Sequence, residues 1–158
     1  MIRVGIGYDS HRLVEGRPFI LGGQRIPFDK GLLGHSDADA VAHAVTDAIL
    51  GAAGAGDMGA LFPDTDPRWK DADSLKMLRM ACEHIAQLGF HPLGADVTII
   101  CEKPRLGVYK QAMAQAIAGE LGVPPDAVGI KAKSNEGMGF VGRGEGVAVM
   151  AVATVEAR

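Results

Sequence analysis

Three side chains in the first third of the sequence could hold one metal ion. Asp9 and His11 stand two residues apart in GYDSHR, directly after the apolar run IRVGI. On extended backbone such residues point to one side while Ser10 faces the other. His43 lies in DAVAHAVTDAIL, Asp39 to Leu50, where helical spacing puts it on a stripe with Thr46 and Asp47, opposite Val41, Val45 and Ala48. One carboxylate and two imidazoles are a ligand set for zinc with the fourth position open, as in a catalytic site. The strand tip that carries Asp9 and His11 would have to meet the helix. A plainer reading stands beside this one: Asp-x-His at a strand end as turn chemistry, and a single histidine on a helix face left in solvent. Ser36, Asp37 and Asp39 read as helix caps, which does not account for His35 just before them. His84 and His91 read as surface residues.

A second constellation is KSNEGMGFVGRGEG, Lys133 to Gly146. Its glycines at 137, 139, 142, 144 and 146 free the backbone to approach a ligand, with amides able to point at phosphate oxygens. No Gly-Lys-Ser/Thr ending makes it a P-loop. GMGFVG follows a strand but is expected to open no helix, so a dinucleotide fingerprint fails on context. Ligand contact and plain turn geometry both fit the glycines.

The elements that must position these groups follow from the pattern. IRVGIGY reads as a strand, and FILGGQRIPF as a hairpin folding on Gly22-Gly23. The first helix follows the caps above and ends near Gly51 and Gly54. Two prolines and repeated acids make DMGALFPDTDP a loop suited to holding a ligand. A helix from Ser74 to Leu88, capped by Asp73 and closed by Gly89, precedes the β-branched strand ADVTIICEK. Then come the helix YKQAMAQAIAGEL, the strand VGIKAKS and the long strand GVAVMAVATV. Strands alternating with helices predict an α/β domain with helices packed on one sheet. Val147 to Val155 is apolar on both faces, so a second layer or another subunit must cover it.

The 158 residues suffice for a single domain with a sizeable core. A net charge of −3, with no basic block or aromatic ladder, argues against nucleic acid. Cys82 and Cys101 form no CxxC pair and read as reduced thiols without chemistry. No leader pattern or membrane-length apolar run is visible, so no membrane partner and a cytoplasmic location are expected.

Four separated pieces, GYDSHR, LGHSDADAVAHAVTDAILGAAGAGDMGALFPDTDP, DVTIICEKPRL and GFVGRGEG, together resemble the 2-C-methyl-D-erythritol 2,4-cyclodiphosphate synthases of non-mevalonate isoprenoid biosynthesis. The likeness runs from Met1 into the final strand. It implies a lyase that converts 4-diphosphocytidyl-2-C-methyl-D-erythritol 2-phosphate to the cyclodiphosphate and CMP. It implies zinc on Asp9, His11 and His43, and magnesium or manganese on Glu136. His35 and Ser134 take catalytic roles in that pattern, Ser134 standing where relatives often have Thr and Lys133 where a neighbouring Thr is found. The implied substrate contacts, besides Asp9 and His11, are His35, Ser36, Asp57 and Gly59; Phe62, Pro63, Asp64, Thr65 and Asp66; Cys101, Glu102, Lys103, Pro104, Arg105 and Leu106; and Lys133, Ser134, Asn135, Glu136, Phe140 and Arg143. The implied fold is a single α/β (α+β) domain with one mixed β-sheet and helices on one side. It forms a homotrimer with sheets around a central channel and active sites between subunits. Arg143 and Glu145 would lie near a mouth of that channel, which can take an isoprenoid-like molecule. Two alternatives use the same residues: a metal-dependent phosphohydrolase and a non-catalytic trimeric small-ligand binding protein.

Overall fold

Alternation along Ile2–Val14 builds the strand on which the rest is laid, β1. Gly5, Gly7, Asp9, His11 and Leu13 turn inward, while Ile2, Val4, Ile6 and Tyr8 remain exposed on the other face. The computed structural model describes residues 1–158. Asp9 and His11 do not sit at a strand tip as expected: β1 stays paired to the final strand as far as Arg12 opposite Gly146. The ladder uses backbone groups alone, so polar side chains at these positions do not end it.

The hairpin forms as β2 (Ile20–Leu21) and β3 (Gln24–Arg25), with Gly22 and Gly23 at φ 55° and 75°. That pair of left-handed residues is the requirement of a two-residue turn matching strand twist. A short strand not anticipated from the sequence, β4 (Gly31–Leu33), adds to the free edge of β1. Helix α1 (Ala40–Ala52) follows, then the single turn α2 (Met58–Leu61) inside the stretch expected to be loop; Asp57 caps that turn, its carboxylate accepting from Ala60 N. Helix α3 is Ser74–Gln87, and β5 runs Phe90–Ile100, beginning earlier and ending sooner than the apolar pattern suggests. Helix α4 (Lys110–Leu121) closes on left-handed Gly122, β6 is Val128–Lys133, α5 is the turn Gly139–Gly142, and β7 is Gly146–Ala157. The glycine loop thus opens one helical turn, against expectation, folding back so tightly that a Cβ on Gly142 would meet Gly137 backbone at 2.1 Å.

The five-stranded sheet has the order β4-β1-β7-β5-β6, antiparallel except for β5 with β6. It is the mixed sheet of an α/β domain. In β7, Val147, Val149, Ala151, Ala153 and Val155 are buried beneath the helices, whereas Met150 and Val152 join the exposed apolar residues of β1 on the opposite face. No helix is long and apolar enough to cross a membrane.

Helix α1 is buried on nearly every side, packed between the sheet and α3, rather than amphipathic with a wet face. Its alanines permit close approach on both sides. Asp39 starts it, accepting from Ala42 N at 3.0 Å and from the hairpin amides of Gly22 and Gly23 at 2.9 and 2.7 Å. Where α1 crosses β1, a Cβ on Gly5 or Gly7 would lie 2.0 Å from Ala48 O or 1.9 Å from Ala44 O. Gly7→Ala is therefore expected to lower stability by about 3 kcal/mol or more, the strong end of overpacking. A denaturation midpoint unchanged from the parent would refute this account of the helix–strand contact.

Candidate active site

The inward turn of Asp9 and His11 and the seat of α1 bring three donor atoms to one place. Asp9 Oδ2 is 2.8 Å from His11 Nε2 and 3.0 Å from His43 Nδ1, and the two ring nitrogens are 3.2 Å apart. A tetrahedral ion with bonds of about 2.0–2.1 Å asks for ligand separations near 3.3 Å, so a carboxylate and two imidazoles spaced this way fit zinc. The far sides of the rings are engaged as well. His11 Nδ1 meets Leu33 O at 2.8 Å, and His43 Nε2 meets Ser74 Oγ at 2.7 Å and Ser36 Oγ at 3.1 Å. These outward contacts leave His11 Nε2 and His43 Nδ1 as the ring nitrogens turned towards Asp9: without a metal they hydrogen-bond to its carboxylate, and around a metal they would present their lone pairs to it. Burial works to raise the pKa of Asp9, but hydrogen bonds and charge from His11 and His43 outweigh it and bring it down to about 2. The carboxylate is thus anionic throughout the neutral range.

A cleft of ≈ 480 Å³ opens beside the triad, walled in part by His11, His35, Ser36, His43, Gly59, Phe62, Pro63 and Asp64. His35 is held in this wall from both sides: its Nε2 meets Asp66 O at 3.1 Å and its carbonyl accepts from Asp71 N at 2.8 Å. Arg17 fastens the same loop, its guanidinium donating to Leu32 O and Ser36 O, each at 2.9 Å. Trp69 and Met77 also line the cleft and were not singled out in the sequence; the nearest signal is Trp69's place just after the proline-rich loop. Asp57, Thr65 and Asp66 are not among its walls. Asp57 caps α2, and Asp66 caps the turn Pro67–Trp69 and pairs with Arg68.

The remaining candidates gather elsewhere. Cys101 to Leu106 leave the end of β5 and Ser134 to Glu136 leave the end of β6; they are joined where Asn135 N donates to Glu102 Oε1 at 2.6 Å. Ser134 Oγ accepts from Glu136 N at 3.1 Å, which leaves its hydroxyl proton to donate outward. Glu136 is exposed in a left-handed conformation, φ 53°. Lys133 is exposed on the sheet face away from the helices. Glu102, Lys103 and Arg143 help wall a second cleft of ≈ 350 Å³, while Phe140 and Glu145 flank a smaller one beside His11. Strand β7 separates β1 from β5, with Asp9 and Ile99 both opposite Val149. The residues at the end of β5 therefore stand about two strand spacings from the triad, roughly 9–10 Å, and those at the end of β6 about three, roughly 14 Å. Neither of the larger clefts is walled by both the triad and these residues. Burial pushes the Cys101 thiol up to about 11 and that of Cys82 to about 12, which keeps both protonated.

A family model described as the YgbB family matches residues 2–156. A 2-C-methyl-D-erythritol 2,4-cyclodiphosphate synthase of Salinibacter ruber is 54% identical over 155 residues, covering 98% of this chain and 99% of that protein. A solved 2C-methyl-D-erythritol-2,4-cyclodiphosphate synthase in a CDP-bound form is 41% identical with a TM-score of 0.89, across 98% of this chain and 100% of that one. The bifunctional IspDF of Campylobacter jejuni is 40% identical with a TM-score of 0.95; the present chain is covered entirely but spans 43% of that protein.

Proposed function

The chain belongs to the YgbB family, and we propose that it forms 2-C-methyl-D-erythritol 2,4-cyclodiphosphate at the cleft built around Asp9, His11 and His43. The substrate is 4-diphosphocytidyl-2-C-methyl-D-erythritol 2-phosphate. An oxygen of the 2-phosphate bonds to the β-phosphorus, and the bridge to the α-phosphate breaks with its electron pair leaving on CMP. A phosphate monoester has a second pKa near 6, so the attacking group is already largely dianionic and needs no strong base. Positioning and charge neutralisation then carry the rate.

Asp9, His11 and His43 would hold zinc, and Glu136 magnesium or manganese. When bound, these ions supply Lewis-acid polarisation and neutralisation of the diphosphate. His35 and Ser36 position phosphate from the loop fastened by Arg17, Phe62 to Asp64 shape the erythritol pocket, and Gly59 and Asp57 meet hydroxyls of ribose and erythritol. Backbone from Cys101 to Leu106 reads the cytosine. Ser134 donates its hydroxyl to the transferring phosphate, with Lys133, Asn135, Phe140 and Arg143 around the diphosphate. The observation that carries the reading is the triad at the mouth of a cleft lined by the same loop residues.

Assembly as a homotrimer completes the site between subunits. Two features support this: the separation of the two residue groups within one chain, and the exposed apolar sheet face, where Val4 and Ile6 are 66% and 64% accessible. A ring of such faces would enclose an axial channel able to take an isoprenoid-like molecule, with Arg143 and Glu145 near one mouth.

Incubation with the diphosphocytidyl substrate and phosphorus NMR tests the function. Cyclic diphosphate and CMP in equal amounts are expected. Open-chain phosphates would favour a phosphohydrolase, and no turnover a binding protein. Glu136→Gln is expected to need about tenfold more magnesium for half-maximal CMP release while keeping its zinc. Unchanged magnesium dependence would remove Glu136 from that role.

A further inference from the structure

We infer that Asp37 and Ser74 form a relay that dictates which ring nitrogen of His43 faces the metal, making both positioning residues for the centre. The inference rests on the zinc reading of the triad. His43 Nε2 lies 2.7 Å from Ser74 Oγ. The Ser74 hydroxyl in turn makes a short hydrogen bond to Asp37 Oδ1, and Ser74 N donates to Asp37 Oδ2 at 3.1 Å.

The direction of this chain follows from what each group can give. A carboxylate only accepts, so the Ser74 proton is committed to Asp37. What Ser74 turns towards His43 is then a lone pair, and His43 Nε2 must carry the ring proton. His43 Nδ1, 3.0 Å from Asp9 Oδ2 and 3.2 Å from His11 Nε2, is left as the nitrogen that presents its lone pair when a metal takes the place between them. Ser36 cannot set this direction, although its Oγ lies 3.1 Å from the same nitrogen. It accepts from Ala38 N and has no carboxylate partner to fix its proton. Ser36, His43 and Ser74 are all buried, which keeps competing water from rotating the hydroxyls. The relay also crosses the fold: Asp37 precedes α1, Ser74 is the first residue of α3, and His43 lies within α1. The first turn of α3 thereby orients a ligand on another helix.

The test is zinc affinity, measured by competition with a chelator of known strength on protein first stripped of metal. The melting temperature of the metal-free protein is followed alongside. Ser74→Ala and Asp37→Asn are each expected to weaken zinc binding roughly 10- to 100-fold, the usual loss when the group orienting a histidine ligand is removed. The Asn amide can donate to Ser74, turning the serine proton towards His43 and favouring the wrong tautomer. Ser74→Thr keeps the hydroxyl and is expected to bind zinc within about threefold of the parent. A purely structural role would lower the metal-free melting temperature without this restoration by threonine. If Ser74→Ala fails to fold, Asp37→Asn and Ser74→Thr carry the test. Parent-like affinity in Ser74→Ala or Asp37→Asn, or lost affinity in Ser74→Thr, would overturn the relay while leaving the centre intact. A parent protein that takes up no zinc would overturn the centre itself, and the relay with it.

Discussion

Asp9→Asn is expected to purify as a folded chain that holds no stoichiometric zinc and releases CMP at least about a thousandfold more slowly than the parent. Asp9 is the one anionic member of the triad, and its low pKa shows how strongly both histidines favour its charge. An amide in its place leaves a neutral oxygen or a donor nitrogen facing the ion. Losing about 4 kcal/mol of charge stabilisation on the transferring phosphate corresponds to the thousandfold figure. The fold should persist because the backbone of residue 9 stays paired opposite Val149, and the Asp9 side chain makes hydrogen bonds with only His11 and His43. Metal analysis decides the point: a purified variant with one zinc per chain would show that the ligand assignment is wrong.

Mixing two variants is expected to restore activity at a magnesium concentration too low for Glu136→Gln to turn over by itself. If Asp9, His11, His43 and Asp57 serve a site on one chain while Cys101 to Leu106, Ser134 and Glu136 serve it from the neighbour, Asp9→Asn and Glu136→Gln damage opposite halves. In a closed ring with head-to-tail contacts, each mixed trimer contains one interface with both halves intact. Random mixing then restores about a quarter of the sites. The two variants are denatured, refolded together, checked for trimers by size and assayed for CMP release against each variant refolded alone. Mixed trimers that stay inactive would place the whole site within one chain.

The ligand geometry was legible because it depends on short-range periods. The two-residue spacing puts Asp9 and His11 on one side of a strand, and Asp39 announces the helix that carries His43. The extent of β1 was not legible, since Asp9-Ser10-His11-Arg12 looks like the polar end of a strand and only pairing with β7 shows that it continues. The burial of α1 was hidden for a related reason: alanine is compatible with a half-wet helix and with one packed on two sides, and α3 decides between them. Ser36 and Asp37 were read as caps because local spacing suggested it. Their contacts with His43 and Ser74 depend on a partner 37 residues away from Asp37 that no local pattern announces. The strands of the central sheet were visible as β-branched runs, while β4, three residues long, carries too little pattern to stand out.

The contact of α1 with Gly5 and Gly7 joins main chain to main chain, so the bite of the three ligands does not depend on how the apolar side chains elsewhere interlock. Local opening that frees α4 or the glycine loop would leave that bite as it is. Widening it requires α1 to lift from β1, and with it most of the buried core. Loss of the triad's geometry is thereby tied to opening of the domain as a whole, and the amides around residues 5–7 and 44–48 are expected to fall in the slowest-exchanging class in the protein.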